Sequence, residues 1–271
     1  MLSGITIGQF FPGNSLLHRM DARVKLVLTF AYIAAVFIPK NWAGLSVVVG
    51  FLIFTILLSR LPAKLILRSI KPILPLIVFT SALNIFYVTE GTALFDWAFI
   101  HITTQGLTTA AFIAIRIICL IAGSSLLTYT TSPTTLTDAL ERLLSPLKVV
   151  RLNVHELAMM MTIALRFIPT LIEETDKIMS AQKARGADLE SGGLMQRIRA
   201  LIPILIPLFV SSFRRAYELA TAMECRCYRG GEGRTRMKQM HMRITDIICI
   251  AVVILMAAGL IVLNFILSPV I

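Results

Sequence analysis

Acidic residues are scarce in this chain: 15 Asp and Glu stand against 26 Lys and Arg, and charged residues together fill only 15% of 271 positions. Soluble globular domains carry about a quarter of their residues as charges, so the shortage excludes an ordinary water-facing surface. Cysteine is also sparse. Cys119, Cys225, Cys227 and Cys249 are too few and too unevenly spaced for a disulfide framework, and reduced thiols are expected. The Cys225-x-Cys227 pair has only His241 nearby as a further soft ligand, where a tetrahedral site needs about four, so no metal is expected. The first 23 residues lack the basic-then-apolar order and small-residue cleavage site of a signal peptide, and the N-terminus is expected to stay on the mature chain.

Catalytic patterns are missing as well. No Gly-x-x-x-x-Gly-Lys-Ser/Thr loop occurs, so nucleotide phosphates are not cradled in the usual way. His155-Glu156 lacks the second histidine of a zinc-protease helix, because Met159 stands in its place. The apolar runs supply neither a nucleophile with its base nor paired carboxylates, and neither an enzymatic role nor a cofactor is expected.

What is present is hydrocarbon and positive charge. Hydrophobic residues make up 56% of the chain and the formal net charge is +11. With several long apolar runs, that charge points to orientation in a bilayer and anionic lipid rather than to nucleic acid. A bilayer core needs roughly 20 apolar helical residues. Five stretches qualify: Val24 to Ile38, Ala43 to Ser59, Ile73 to Val88, Leu107 to Thr130 and Ile244 to Leu267. The loop after the second carries Arg60, Lys64, Arg68 and Lys71, whereas the loop after the third carries Glu90 and Asp96 and no cation. The positive-inside rule then puts the N-terminus in the cytoplasm and the C-terminus outside, with Lys40 as a mild dissent.

The expected fold is therefore an all-α polytopic membrane protein: about four spans in residues 1–130, cytoplasmic helices in 131–243, and a last span in 244–271. His155 to Ile172 and Ile198 to Phe213 are apolar enough to suggest two more spans. His155, Glu156, Arg166 and Pro169 interrupt the first, and Pro203, Pro207, Arg214 and Arg215 crowd the second, which suits shallow amphipathic helices better.

Periodicity predicts about three such helices. Ser132-Pro133 reads as an N-cap with proline at the first helical position, and Leu136, Leu140, Leu143, Leu144 and Leu147 share one face before Pro146 limits the run. Leu157, Met160, Ala164, Phe167, Leu171 and Met179 trace a second stripe that Gly186 closes, and a third helix runs from about Met195 to Tyr228, ending at Gly230-Gly231. These stripes fit simple helix packing or a further membrane subunit, with Met160, Ala164, Phe167, Leu171 and Leu205 as candidate contacts. Arg185 and Arg226 each close an amphipathic run ahead of glycine, where a cation faces the negative end of a helix and can reach outward. Arg116 is the outstanding ionisable group within a span, and costs about 2.5 kcal/mol or more in lipid unless it faces protein, water or a partner. It is either a contact site or a polar anchor of the bundle.

Several motifs together resemble one family. They are Pro12-Gly13-Asn14-Ser15 with His18-Arg19-Met20-Asp21, Thr131-Ser132-Pro133 with Leu136-Thr137-Asp138-Ala139-Leu140, Ala164-Leu165-Arg166-Phe167-Ile168-Pro169, Ala184-Arg185-Gly186, and Glu224-Cys225-Arg226-Cys227-Tyr228-Arg229-Gly230-Gly231. Over nearly its whole length the chain resembles the transmembrane T component, EcfT type, of energy-coupling factor importers of vitamins and transition metals. The resemblance implies a bacterial cell-membrane subunit without catalysis of its own. It implies two cytoplasmic ATPases, expected as a heterodimer, and a substrate-binding S component, with several exchangeable ones possible on a shared surface. It also implies that Arg185 and Arg226 each anchor one ATPase, with Ala184, Gly186, Cys225 and Cys227 as flanks. The family commonly has Ala before the second arginine where this chain has Cys225, so a strict Ala-Arg-Gly rule is in doubt there. A competing reading is a stand-alone channel or secondary carrier with regulatory cytoplasmic helices, although no internal repeat supports a carrier.

Overall fold

The computed structural model describes residues 10–87, 92–97, 100–146, 153–187, 193–231 and 241–267. Helices dominate them: α1 (Leu16–Arg19), α2 (Ala22–Phe37), α3 (Trp42–Ser59), α4 (Ala63–Ile70), α5 (Leu74–Tyr87), α6 (Thr104–Thr130), α7 (Pro133–Leu144), α8 (Val154–Ala184), α9 (Leu194–Cys225) and α10 (Ile244–Ile266). A short antiparallel hairpin, β1 (Ala93–Trp97) with β2 (Ile100–Thr103), joins α5 to α6. Residues 232–240, which follow Gly230-Gly231 and include the basic Arg234-Thr235-Arg236, lie outside the described residues.

Among the described residues, six helices are long and apolar enough to cross a membrane: α3, α4 with α5 as one 25-residue rod, α6, α8, the Ile198–Cys225 part of α9, and α10. The expected first span, α2, has 16 residues and falls short of that length. The basic stretch after α3, expected as a loop, holds a helix instead: α4 buries Ile66 and leads into α5 through a 3-10 turn, Lys71–Ile73, which contains Pro72. A proline there lacks the N–H that would continue the α ladder, so the rod changes pitch rather than ending. The prolines expected to interrupt the later apolar runs do not break them either. Pro169 lies inside α8, and Pro203 and Pro207 inside α9.

Two compact units form, with the boundary inside α7. One is centred on α6, which packs against α2, α3, α4 and α5, while α10 packs on α2 and α3. Its core joins Tyr32, Val36, Val48, Leu52, Ile66, Cys119, Leu126 and Leu260. Side-chain hydrogen bonds fix the directions. Lys25 Nζ donates to Thr130 O at 3.0 Å and Tyr32 Oη to Cys119 O at 3.2 Å, so α2 and α6 run antiparallel. The Asp21 N–H donates to Asp246 Oδ1 at 3.3 Å, and Asn264 Nδ2 donates to Ile38 O, which sets α2 and α10 parallel.

Polar groups gather at both ends of this unit. At one, Asp246 is fully buried and accepts from the Arg243 N–H at 2.8 Å as well as from Asp21. Its position three residues past the N-cap is the capping-box spacing, the sequence signal by which this buried carboxylate could have been found. At the other end, Asn41 caps α3 through the Gly44 N–H at 2.8 Å and donates to Leu263 O at 3.2 Å. Arg116 reaches the same turn: its Nη2 donates to Pro39 O at 2.7 Å, and its guanidinium lies 4.8 Å from the Phe112 ring centroid.

The N-terminal motif is structural. Ser15 caps α1, Asp21 caps α2 and pairs with Arg23 at 2.6 Å, and His18 Nε2 bonds Phe11 O at 3.0 Å.

Candidate docking site

The second unit contains α8 and α9 and the end of α7. Three contacts set the register of the two long helices: Tyr228 Oη donates to Met159 Sδ at 3.0 Å, Ser211 Oγ to Glu174 Oε1 at 2.6 Å, and Gln182 Nε2 to Pro203 O at 3.4 Å. As the α8 number rises from 159 to 182, the α9 partner falls from 228 to 203, so the helices are antiparallel over most of their length. The last contact has a local cause. Pro207 has no N–H to bond the carbonyl four residues back, and Gln182 takes up that freed oxygen. Arg215 adds an ion pair to Glu174, giving one carboxylate two partners on α9.

Antiparallel packing sends the two arginines to opposite ends of the pair. At a rise of 1.5 Å per residue they lie roughly 35 to 40 Å apart along it.

Each arginine occupies the same position in the same helix stop. Arg185 is the C-cap of α8; the Gly186 N–H bonds Lys183 O at 3.0 Å and the Ala187 N–H bonds Gln182 O at 3.0 Å. Arg226 is the C-cap of α9; the Cys227 N–H bonds Glu224 O at 2.8 Å and the Tyr228 N–H bonds Met223 O at 3.0 Å. Both are Schellman motifs, in which the residue after the cap turns left-handed. Gly186 has φ +85° and Cys227 φ +56°. Helix α9 therefore stops at Cys225, not at Gly230-Gly231 as glycine placement suggests. The left-handed form costs a non-glycine residue about 1 to 2 kcal/mol. Cys227→Gly should remove that cost while adding about 0.5 to 1 kcal/mol of chain entropy, a net gain of about 0.5 to 1 kcal/mol, and amide exchange in the last turn of α9 should slow about 2- to 5-fold. Unchanged or faster exchange would show that the strain lies elsewhere.

Both arginines are exposed, and among the described residues neither guanidinium has an ion-pair partner. Their surroundings differ. Behind Arg226, Tyr228 is tied to Met159, and Gly231 lies so close to His155 that a Cβ there would sit 2.3 Å from its ring. His155 Nδ1 in turn bonds Glu141 Oε1 of α7 at 2.9 Å. At Gly186 a Cβ would meet nothing within 4 Å.

The CbiQ family, described as cobalt transport protein, matches residues 13–238. The relative from Ruminiclostridium cellulolyticum is 50% identical over 266 residues, covering 98% of this chain and 99% of its own. That from Clostridium kluyveri is 54% identical over 250 residues, 92% of each chain. That from Listeria innocua is 44% identical over 260 residues, 96% and 98%. All three are named energy-coupling factor transporter transmembrane protein EcfT. The chain belongs to the CbiQ/EcfT family. As a multi-pass membrane member of that transporter family, it carries the arginine motifs at the C-terminal ends of α8 and α9, which are themselves two of the six span-like helices among the described residues.

For a CbiQ/EcfT protein the apolar surface of α8 and α9 is as informative as the motifs. Met160, Ala164 and Leu205 are exposed, and Phe167 and Leu171 half-buried. Sequence reasoning named only Leu205 on α9. The structure adds an exposed stripe of Ile202, Ile206, Phe209, Phe213 and Tyr217. Its spacing of three and four is readable in the sequence, although the two prolines and the Arg214-Arg215 pair interrupt the apolar pattern there.

Proposed function

We propose that this chain is the non-catalytic coupling subunit of an energy-coupling factor importer. It links ATP hydrolysis by two cytoplasmic ATPases to movement of a substrate-binding S component during vitamin or micronutrient uptake. The observation that carries the reading is the matched pair of capped arginines at opposite ends of one antiparallel helix pair. One arginine per ATPase is the stoichiometry this spacing suits. Each guanidinium presents a rigid fork of donors suited to carboxylates, and the Schellman cap holds it at the helix tip. The unlike settings of Arg185 and Arg226 favour two different ATPase chains over two copies of one.

Nucleotide-driven closure of the ATPases would move the two ends of the α8–α9 pair relative to each other. Pro169, Pro203 and Pro207 each remove a helical hydrogen bond, giving places where the pair can bend. Met160, Ala164, Phe167, Leu171 and Leu205, with Ile202, Ile206, Phe209 and Phe213, are the surface offered to the S component. In this reading the N-terminus and the α7–α9 segment are cytoplasmic and the C-terminus is external. Charge between the spans supports that orientation, and so does the parallel course of α2 and α10 against α6.

Reconstitution separates this role from that of a carrier. Vesicles holding the chain with both ATPases and an S component should take up substrate only with ATP, and omission of any one part should abolish uptake. Transport by this chain alone would overturn the reading in favour of a channel or carrier.

A further inference from the structure

We infer that the α6-centred unit holds one acyl chain of an anionic phospholipid in a cavity among α1, α2, α3, α6 and α10. The cavity has a volume of about 300 Å³ and is lined chiefly by aliphatic and aromatic side chains, among them Leu28, Phe51, Leu58, Leu127 and Val252. The lining hydroxyls of Thr29, Thr55, Thr130 and Tyr32 are already bonded to backbone carbonyls, to Lys25 O at 2.8 Å, Leu52 O at 2.8 Å, Leu126 O at 2.7 Å and Cys119 O at 3.2 Å respectively. A buried water needs two to four polar partners, roughly, and this lining offers few. An empty apolar void forfeits dispersion contacts along its whole wall. Hydrocarbon is the filling that satisfies both conditions.

The opening says where the hydrocarbon comes from. Leu16, Phe54 and Ile248 line the cavity and are themselves exposed, so it communicates with the outer face of a unit whose helices are span-like. In a bilayer the medium at such a face is acyl chain.

The head of the lipid is indicated by charge. Lys25 lines the cavity at the end where α2 and α10 begin, its Nζ donating to Thr130 O at 3.0 Å and Thr131 Oγ1 at 3.3 Å, and the exposed Arg19 and Arg243 stand one and two residues along the chain from the lining residues Met20 and Thr245. Asp246, the acidic group at this end of α10, is fully buried and turned to backbone N–H groups. One cation in the lining and two more next to it along the chain suit a lipid with net negative charge better than a zwitterion.

Photocrosslinking of the full chain in phosphatidylcholine vesicles tests this. The vesicles carry a trace of phosphatidylglycerol or phosphatidylcholine bearing a diazirine within one acyl chain, and labelled peptides are identified by mass spectrometry. The phosphatidylglycerol probe should label the peptide containing Cys249 and Val253 about 5-fold more than the exposed Phe79 on α5, a difference of roughly 1 kcal/mol. Thr55→Trp and Leu127→Trp, two independent ways of filling the slot, should each reduce that labelling to the Phe79 level in protein that stays monodisperse. Arg19→Gln with Arg243→Gln should remove the preference for phosphatidylglycerol. Cavity labelling no greater than at Phe79 in the unsubstituted chain would overturn the site. Labelling untouched by both tryptophans would do the same, and equal capture of the two unsubstituted-chain probes would overturn the anionic head.

Discussion

Arg226→Ala should weaken ATPase binding by at least about 30-fold and leave membrane insertion intact. Truncating one partner of a buried charged hydrogen bond at an interface costs about 2 to 5 kcal/mol, and each 1.4 kcal/mol is about a factor of ten. The residue is exposed at a helix tip, its cap bond to Met223 O comes from the backbone N–H, and its guanidinium has no ion-pair partner among the described residues, so the substitution removes little from the fold. Arg185→Ala should behave likewise for the other ATPase. Arg226→Lys keeps the charge but loses the planar fork, and should recover only part of the binding. Co-purification with each ATPase, measured by titration in mild detergent, reads these effects. Unaltered binding by the double alanine variant would remove both arginines from the docking role.

Gly123→Ala is the substitution expected to harm the fold most. A Cβ at Gly123 would lie 2.1 Å from Tyr32 Cε1, and Tyr32 belongs to the buried core where α2 meets α6. Alanine is better than glycine within a helix by about 1 kcal/mol. Overpacking costs about 1 to 3 kcal/mol, and displacement of Tyr32 also breaks its bond to Cys119 O, worth about 1 kcal/mol more, so the steric term wins. The thermal unfolding midpoint of the purified chain should fall. Tyr32→Ala should be costly alone, yet Gly123→Ala should add little in its presence, because the clash has gone. Additive losses would show that Tyr32 is not what Gly123 makes room for.

What the sequence disclosed and what it hid divide along physical lines. Long apolar runs announce α3, α6 and α10 because solvation by lipid is a property of the residues themselves. The N-cap of α7 was equally local: Ser132 Oγ accepts the Thr135 N–H at 3.3 Å, as Ser-Pro at that position suggests. The stop of α9 was misread because glycine is the usual left-handed residue, and Cys227 adopts that conformation ahead of the available Gly230. Pro203 and Pro207 looked like interruptions, but a neighbouring helix compensates one lost bond through Gln182. Tyr32 against Gly123, Arg116 on the Pro39 carbonyl and the opposite placement of Arg185 and Arg226 are tertiary facts. No periodicity within one segment encodes them.

In the proposed function the two capped arginines hold two separate ATPases. A photoreactive residue placed at both 184 and 225 in one chain, followed by irradiation of the purified complex and mass measurement of the products, tests it most directly. Single adducts to one ATPase are expected from each position, to different ATPases, with a ternary product in which one chain carries both. Capture of the same ATPase copy from both positions, or no ATPase from either, would contradict it.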